Sequence, residues 1–251
     1  MIQDPIFYAL AVPAVALMGL AKGGFSGVGA VSMPLLAMAV SPVQAAAILL
    51  PILIVQDSVS VWAFRRDWDR GVLMVMLPGA AAGILLGYLL AAKVSAAAVL
   101  GVLGAISILF ALHRLWIARG GRVQAPASSP PAVGVLFGVV SGFTSQIAHA
   151  GGPPFQMWVM PRGLTPGALV GTTAIFFAAV NWLKVPAYAA LGQFTRENLL
   201  TVAVLLPVAI ASTFAGVWLV RRVQAERFYT LVYLLMIPVG VQLIWKAVTT
   251  G

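Results

Sequence analysis

Two stretches of the chain, 124 positions apart, read like copies of each other and decide the fold. Residues 41–64 read SPVQAAAILLPILIVQDSVSVWAF, and residues 165–188 read TPGALVGTTAIFFAAVNWLKVPAY. Each begins with a hydroxyl residue and a proline and continues through an apolar run. Each carries a polar residue at the same place, Asp57 in the first copy and Asn181 in the second. A polar position repeated inside a duplicated apolar segment predicts a site shared between two halves of one membrane protein.

The composition of the whole chain places these stretches in a bilayer. Of the 251 residues, 61% are hydrophobic and only 8% are charged, whereas roughly 25% are charged in soluble domains. Apolar stretches close to the roughly 20 residues that cross a bilayer recur along the chain, as at residues 71–92, 95–117 and 199–220. We therefore predict an all-α polytopic membrane protein. The first apolar run, residues 6–20, lacks a basic leader and a cleavage site, so we interpret it as a retained helix.

The charge balance and the cysteine count exclude several classes of protein. A formal net charge of +9 would suggest nucleic-acid binding in a soluble chain, but here the excess of basic residues expected in cytoplasmic loops explains it. The chain has no cysteine, which excludes disulfides and thiolate metal sites. No nucleotide-binding motif is present. We expect no metal, no cofactor and no nucleic-acid partner.

A polar linker divides the chain nearly in half. Residues 118–131 form the one long polar stretch rich in glycine and proline, so we predict a first membrane repeat over residues 1–117, a cytoplasmic linker over 118–131 and a second repeat over 132–251. Prolines, glycines and tryptophans occur at matching positions in the two halves. This favours a duplication over chance matches between two hydrophobic sequences. Residues 24–26, Gly-Phe-Ser, are similar to residues 142–144, Gly-Phe-Thr, and we expect them to be equivalent.

Each half contains five apolar segments, and the second segment decides the topology. If it crosses the membrane, each half has five crossings and the halves are inverted; if it is re-entrant, each half has four and the repeats are parallel. Five crossings place eleven Lys and Arg residues on one side and three on the other, whereas four crossings split them six against eight. The positive-inside rule favours two inverted five-segment repeats with both termini outside. Because the second segments are short, we predict broken helices there and eight to ten crossings in all.

These second segments also carry the strongest indication of a functional site. Glycine loosens a helix and proline removes a backbone donor, and in hydrocarbon such a break survives only where protein or a water-filled cavity satisfies it. Paired breaks are typical of transporters in which the positive ends of half-helices point at an anionic substrate. Close helix packing through small residues is the alternative explanation. The candidate residues of the breaks are Ser26, Gly27, Gly29, Ser145, Gln146, His149, Gly151 and Gly152.

Further polar residues lie inside the apolar segments, where charge is costly unless it is paired or faces a polar cavity. Asp57 either carries a proton, pairs with Lys184 or caps broken backbone. His149, which titrates near physiological pH, either contacts a proton or the substrate or makes a structural hydrogen bond. Lys184 lies three residues after Asn181 on the same helical face and either faces an anion or snorkels to an interface. Thr172 either lines the same cavity or bonds back to its own helix.

In combination, these motifs resemble the sulfite exporter TauE/SafE family of membrane permeases. The resemblance rests on residues 19–36, 41–68, 146–154 and 181–186. It implies a bacterial inner-membrane permease that moves sulfur-containing anions such as sulfite or sulfonates. It supplies no functional residues, so the candidate residues follow from the sequence pattern alone.

We therefore predict a secondary transporter for small anions, and not an enzyme, that works by alternating access between its halves. The substrate-binding candidates are the eight break residues together with Thr172, Asn181 and Lys184, and Asp57 or His149 would couple transport to protons. A passive anion channel remains an alternative. An intramembrane enzyme is a weaker one, because a single intramembrane Asp and a single His are thin support for catalysis. The lipid bilayer is the other expected partner, and the oligomeric state stays open.

Overall fold

The computed structural model describes residues 1–24, 28–91, 93, 95–121, 129–220 and 226–250. Within these ranges the regular structure is helical, with no strand, and five α-helices lie on each side of the linker. The helices of the first half are α1 (Pro5–Lys22), α2 (Ser32–Ala39), α3 (Pro42–Phe64), α4 (Arg70–Ala91) and α5 (Ala96–Ala118). Those of the second half are α6 (Pro131–Ala148), α7 (Gly152–Val159), α8 (Pro166–Ala190), α9 (Arg196–Val220) and α10 (Glu226–Thr250).

Helix lengths confirm the predicted all-α membrane fold. Seven helices in the described part of the chain, α1, α3, α4, α5, α6, α8 and α9, are long and apolar enough to cross a membrane. The second helices α2 and α7 have eight residues each, or about 12 Å of helix. A 3₁₀ turn precedes α2 at Val28–Val31 and another follows α7 at Met160–Arg162. The second segment of each half is therefore a short, broken helix, as predicted.

The duplicated motif that opens α3 and α8 is a helix start. The side chains of Ser41 and Thr165 accept hydrogen bonds from backbone N–H groups three residues further on, which is the usual role of an N-cap. Pro42 and Pro166 then occupy the first helical position, where the missing N–H costs nothing. The same local sequence therefore begins the third helix of both halves.

Packing joins the two halves reciprocally. Helix α1 packs against α9 and α6 packs against α4, so the first helix of each half lies on the fourth helix of the other. The third helices, α3 and α8, pack together, and so do the fifth helices, α5 and α10. Glycines permit the close approach: a Cβ added to Gly83 would overlap the carbonyl of Val139, and one added to Gly138 would overlap that of Met76. These glycines have the packing role known from other membrane bundles.

Side-chain contacts show that α1 and α3 run parallel. Gln56 donates to the carbonyl of Val15, and Ser60 donates to that of Lys22. Helix α2, which lies between them in the chain, runs antiparallel to α1: Gly29, just before α2, faces Ala21, and Ser32 Oγ donates to the Ala14 carbonyl.

Equivalent helices of the two halves run antiparallel. Asp57 of α3 contacts Asn181 of α8, whereas Gly171, earlier in α8, contacts Asp67 just beyond the end of α3. Along α5 and α10 the numbering also runs in opposite directions, because Gly101 faces Ala247 and Gly104 faces Gly240. The N-terminal residues and the C-terminal end of α10 therefore lie on one face of the bundle, the terminal face, and the end of α5 and the start of α6, which flank the linker, lie on the opposite face, the linker face.

The similarity between residues 24–26 and 142–144 does not join equivalent positions, contrary to expectation. Helices α1 and α6 have 18 residues each, so their ends place Lys22 opposite Ala148. Gly24 follows the end of α1, whereas residues 142–144 lie inside α6, where Gly142 packs against the carbonyl of Ala80. The structural counterpart of the first break begins at His149.

Candidate functional site

The chain breaks of both halves meet at one cavity, the central cavity, of about 110 Å³. Gly29 and Pro34 line it from the first break, and Ser145, His149 and Gly152 line it from the second. Side chains from α1, α5, α8 and α10 complete the wall. The cavity is small and enclosed by both halves, which suits a small ligand such as an oxyanion.

A charged pair stands at the edge of the central cavity. The Nζ atom of Lys22 lies 2.5 Å from Oδ1 of Asp57, and Oδ2 of Asp57 accepts a hydrogen bond of 2.6 Å from Nδ2 of Asn181. The Asp57 side chain is 1% exposed, whereas Lys22 is 13% exposed and lines the cavity with Asn181. The two duplicated polar positions thus bond directly to each other. The partner of Asp57 is Lys22 and not Lys184.

The end of helix α1 holds Lys22 in place. Ser60 Oγ donates to the Lys22 carbonyl at 2.8 Å, and Gly24 adopts φ +130°, a conformation that is readily open only to glycine. The helix therefore stops inside the bundle. Its last side chain, an ammonium group, is favourable at the negative end of the helix dipole.

A second cation, Lys184, caps the broken end of α6. Its Nζ donates to Ser145 O and Oγ, each at 3.2 Å, and to Nδ1 of His149 at 2.7 Å. Nε2 of His149 lies 2.9 Å from the carbonyl of Ala46 in α3 and must donate to it. This arrangement assigns a neutral imidazole protonated at Nε2, and it gives the three donors of the ammonium three acceptors.

Ser60 and Lys184 occupy equivalent positions in α3 and α8. They are 124 residues apart, as are Asp57 and Asn181, which precede them by three residues. Each donates to a carbonyl near the broken end of the first helix of its own half, Lys22 O and Ser145 O respectively. The structural task is the same, but Lys184 adds a fully buried basic group. The departure from symmetry is therefore one extra cation beside the central cavity.

With Lys184 counted as an ammonium, the groups around the central cavity sum to one net positive charge. Lys22 and Asp57 cancel, His149 is neutral in the tautomer assigned above, and Lys184 has no carboxylate among its hydrogen-bond partners in the described residues. No Asp or Glu in the described part of the chain lines the cavity wall. An uncompensated cation in a poorly solvated site is costly, and an anion in the cavity would relieve that cost.

The start of α7 also faces the cavity. A Cβ placed on Gly152 would meet no atom within 4 Å, so the cavity side of this helix start is open. Pro153 and Pro154 lack N–H groups, which leaves the N–H groups of Gly151 and Gly152 as the donors at this helix start. Gln156, one turn further on, lines the same cavity, and its buried Oε1 has no hydrogen-bond partner in the described structure.

Other predicted residues lie away from the cavity wall. Gly151 packs against α6, and its carbonyl accepts from Ser141 Oγ. Thr172 donates to its own helix and accepts from the Asp69 backbone at 2.8 Å, so it holds the loop before α4. Ser26 and Gly27 lie outside the described residues.

The central cavity is closed towards the terminal face. Beyond the Lys184–His149 contact, Tyr188 donates to the carbonyl of Gln146 at 3.0 Å, and the Gln146 side chain lines a separate cavity of about 90 Å³ on that side. Towards the linker face, an apolar cavity of about 540 Å³ between α5, α6 and α7 shares Phe110 and Pro153 with the central cavity. The larger neighbouring cavity therefore lies on the linker side of the central cavity.

Lys22 and Gln156 are not among the predicted site residues. Lys22 ends an apolar segment, so the positive-inside rule places it in a loop at the membrane surface. The following Gly23-Gly24 pair was the available indication that this helix ends inside the bundle. Nothing in the sequence separates Gln156 from an ordinary polar residue. In the described residues, no group of three or more His, Cys, Asp or Glu side chains could hold a metal ion.

Comparison with known proteins gives one match. The family model described as sulfite exporter TauE/SafE matches residues 11–243. No curated protein and no solved structure matches the chain significantly. The matched region includes most of both halves, both breaks and every residue that lines the central cavity.

Proposed function

The chain belongs to the sulfite exporter TauE/SafE family of membrane transporters, and from that premise we propose that it is a secondary carrier for a small sulfur-containing anion. Sulfite and small organosulfonates are the candidate substrates. The anion would bind in the central cavity between Lys22, Ser145 and the start of α7. The observation that carries the proposal is the cavity where both chain breaks meet, with Lys22 in its wall, Lys184 beside it and a single carboxylate, Asp57, at its edge.

Alternating access is the proposed transport mechanism. The antiparallel packing of α3 with α8 and of α5 with α10 supports two inverted repeats, because a two-fold axis in the membrane plane would relate such helices. The closed side contains Lys184, His149 and Tyr188. In the state open towards the terminal face, these contacts would separate, and the linker side would close around the Lys22–Asp57 pair. A closure on one side only favours a carrier over an open channel.

Asp57 is the better placed of the two proposed proton-coupling residues. Both ring nitrogens of His149 are engaged, and a proton on Nδ1 would point at the Lys184 ammonium. A proton on Asp57 would instead weaken its hold on Lys22 and free that ammonium for the anion. The location also stays a proposal: a bacterial inner membrane with the linker inside and both termini outside. Without Lys22, the basic residues still divide ten to three in favour of the linker face.

Counterflow in proteoliposomes tests the carrier proposal. Liposomes loaded with unlabelled sulfite should take up labelled sulfite transiently above equilibrium, and the uptake should saturate. The same protocol with an organosulfonate compares the two substrate classes. Flux that neither saturates nor shows counterflow would favour a channel. Absence of flux with both anions would contradict the proposed substrate class.

A further inference from the structure

Lys22 has more hydrogen-bonding capacity than the protein uses. An ammonium group has three donors, and among the described residues only Asp57 accepts from Lys22, although the group also lies 5.2 Å from the centre of the Phe177 ring. Lys22 also lines the central cavity, where its remaining donors can reach a ligand. Lys184 differs, because its three donors are all used within the protein. Lys22 is therefore the cation that can bind a ligand directly.

We infer that Lys22 is the direct ligand of the transported anion and that Asp57 makes the site sense the charge of that anion. This inference rests on the proposed function. A singly charged anion would neutralise the net positive charge of the site and bind without a proton. A doubly charged anion would leave one excess negative charge beside Asp57. Its binding would therefore require Asp57 to take up one proton, while Lys22 turns its N–H donors from the carboxylate to the anion.

The surroundings of Asp57 support this role. Lys22 of α1 and Asn181 of α8 contact the two carboxylate oxygens, and Lys184 of α8 and His149 at the end of α6 lie near the same cavity. No other charged side chain in the described ranges contacts Asp57. Neutralised Asp57 would keep an acceptor for Asn181, so one added proton leaves the helix contact intact.

Sulfate and methanesulfonate test the inference, because both are tetrahedral at sulfur but carry two charges and one charge near neutral pH. Their affinities for the purified protein would be measured by calorimetry between about pH 6 and 8 in buffers of different ionisation enthalpy. We expect the affinity for sulfate to rise as pH falls, approaching about tenfold per pH unit with one proton taken up. The affinity for methanesulfonate should change little.

Variants assign the proton and the ligand. The Asp57→Asn variant should bind sulfate without proton uptake. Its affinity for sulfate relative to methanesulfonate should rise by about tenfold or more. Lys22→Met should lower the affinity for both anions. Glu197→Gln, which removes an exposed carboxylate, should bind both anions as the wild type does. Proton uptake on sulfate binding is measured on the wild type, so it tests the link between anion charge and protonation even if a variant folds poorly.

Three outcomes would overturn the inference. One is equal pH dependence for both anions. Another is proton uptake that persists in Asp57→Asn but is lost in His149→Gln. In either case, sulfite counterflow by the wild type would leave the proposed function standing. Binding of neither anion at any pH would contradict the inference, and missing counterflow would then contradict the proposed function as well.

Discussion

Removal of the Asp57 carboxylate should destabilise the protein more than any change to an exposed acid. Asp57→Ala leaves the Lys22 ammonium and the Asn181 amide without their acceptor. At a charge separation of about 4 Å and an effective dielectric constant of about 20, the lost attraction is about 4 kcal/mol. Because Lys22 reaches the cavity, water recovers part of this, and we expect a loss of about 2–4 kcal/mol. The melting temperature should fall by about 5–15 °C.

A double-mutant cycle in detergent, followed by tryptophan fluorescence during thermal unfolding, measures this coupling. Lys22→Met removes the cation, so adding Asp57→Ala to it should cost far less than Asp57→Ala alone. We expect a coupling energy of about 1.5 kcal/mol or more. Glu197→Gln is the matched control and should change stability by less than about 0.5 kcal/mol. Additive effects, or an Asp57→Ala shift no larger than that of the control, would refute the buried pair.

Four other substitutions test packing, the cavity and the second cation. Gly83→Ala should destabilise the protein by about 2 kcal/mol or more, because the added Cβ overlaps the Val139 carbonyl. Gly101→Ala, which has space for a Cβ, should be neutral or stabilising by up to about 1 kcal/mol. Equal melting temperatures of the two variants would contradict the close α4–α6 contact. Gly152→Leu should abolish counterflow by filling the cavity while leaving the melting temperature nearly unchanged, and normal transport would place the anion elsewhere. Lys184→Met should weaken sulfite binding by about tenfold or more in calorimetry, and unchanged affinity would exclude its charge from the site.

Much of the fold follows from hydrophobic segments and breakers. The ten predicted apolar segments correspond to the ten α-helices of the described residues. Two helix starts are set locally, because Ser41 and Thr165 cap their helices and proline follows each cap. The shared polar position also proved to be a contact, Asp57 to Asn181. Helix direction was accessible only through charge asymmetry, since neither hydrophobicity nor helix propensity distinguishes a parallel from an antiparallel neighbour.

The site was less predictable than the fold, and Lys22 shows why. Its depth depends on where α1 stops, and that depends on the tertiary bond from Ser60 to its carbonyl as well as on the glycines. Likewise, only packing decides that Lys184 caps α6 and does not snorkel to a surface. The similarity of residues 142–144 to residues 24–26 was misleading, because a glycine within a packed helix and a glycine at a break look alike in sequence.

Anomalous diffraction from crystals soaked in selenate, the selenium counterpart of sulfate, would locate the anion directly. We expect a peak in the central cavity within about 4 Å of Lys22 Nζ, close to Ser145 and the start of α7. The peak should be absent from crystals of Lys22→Met. A peak confined to the apolar cavity beside Arg114, or a central peak that survives in Lys22→Met, would contradict anion binding through Lys22.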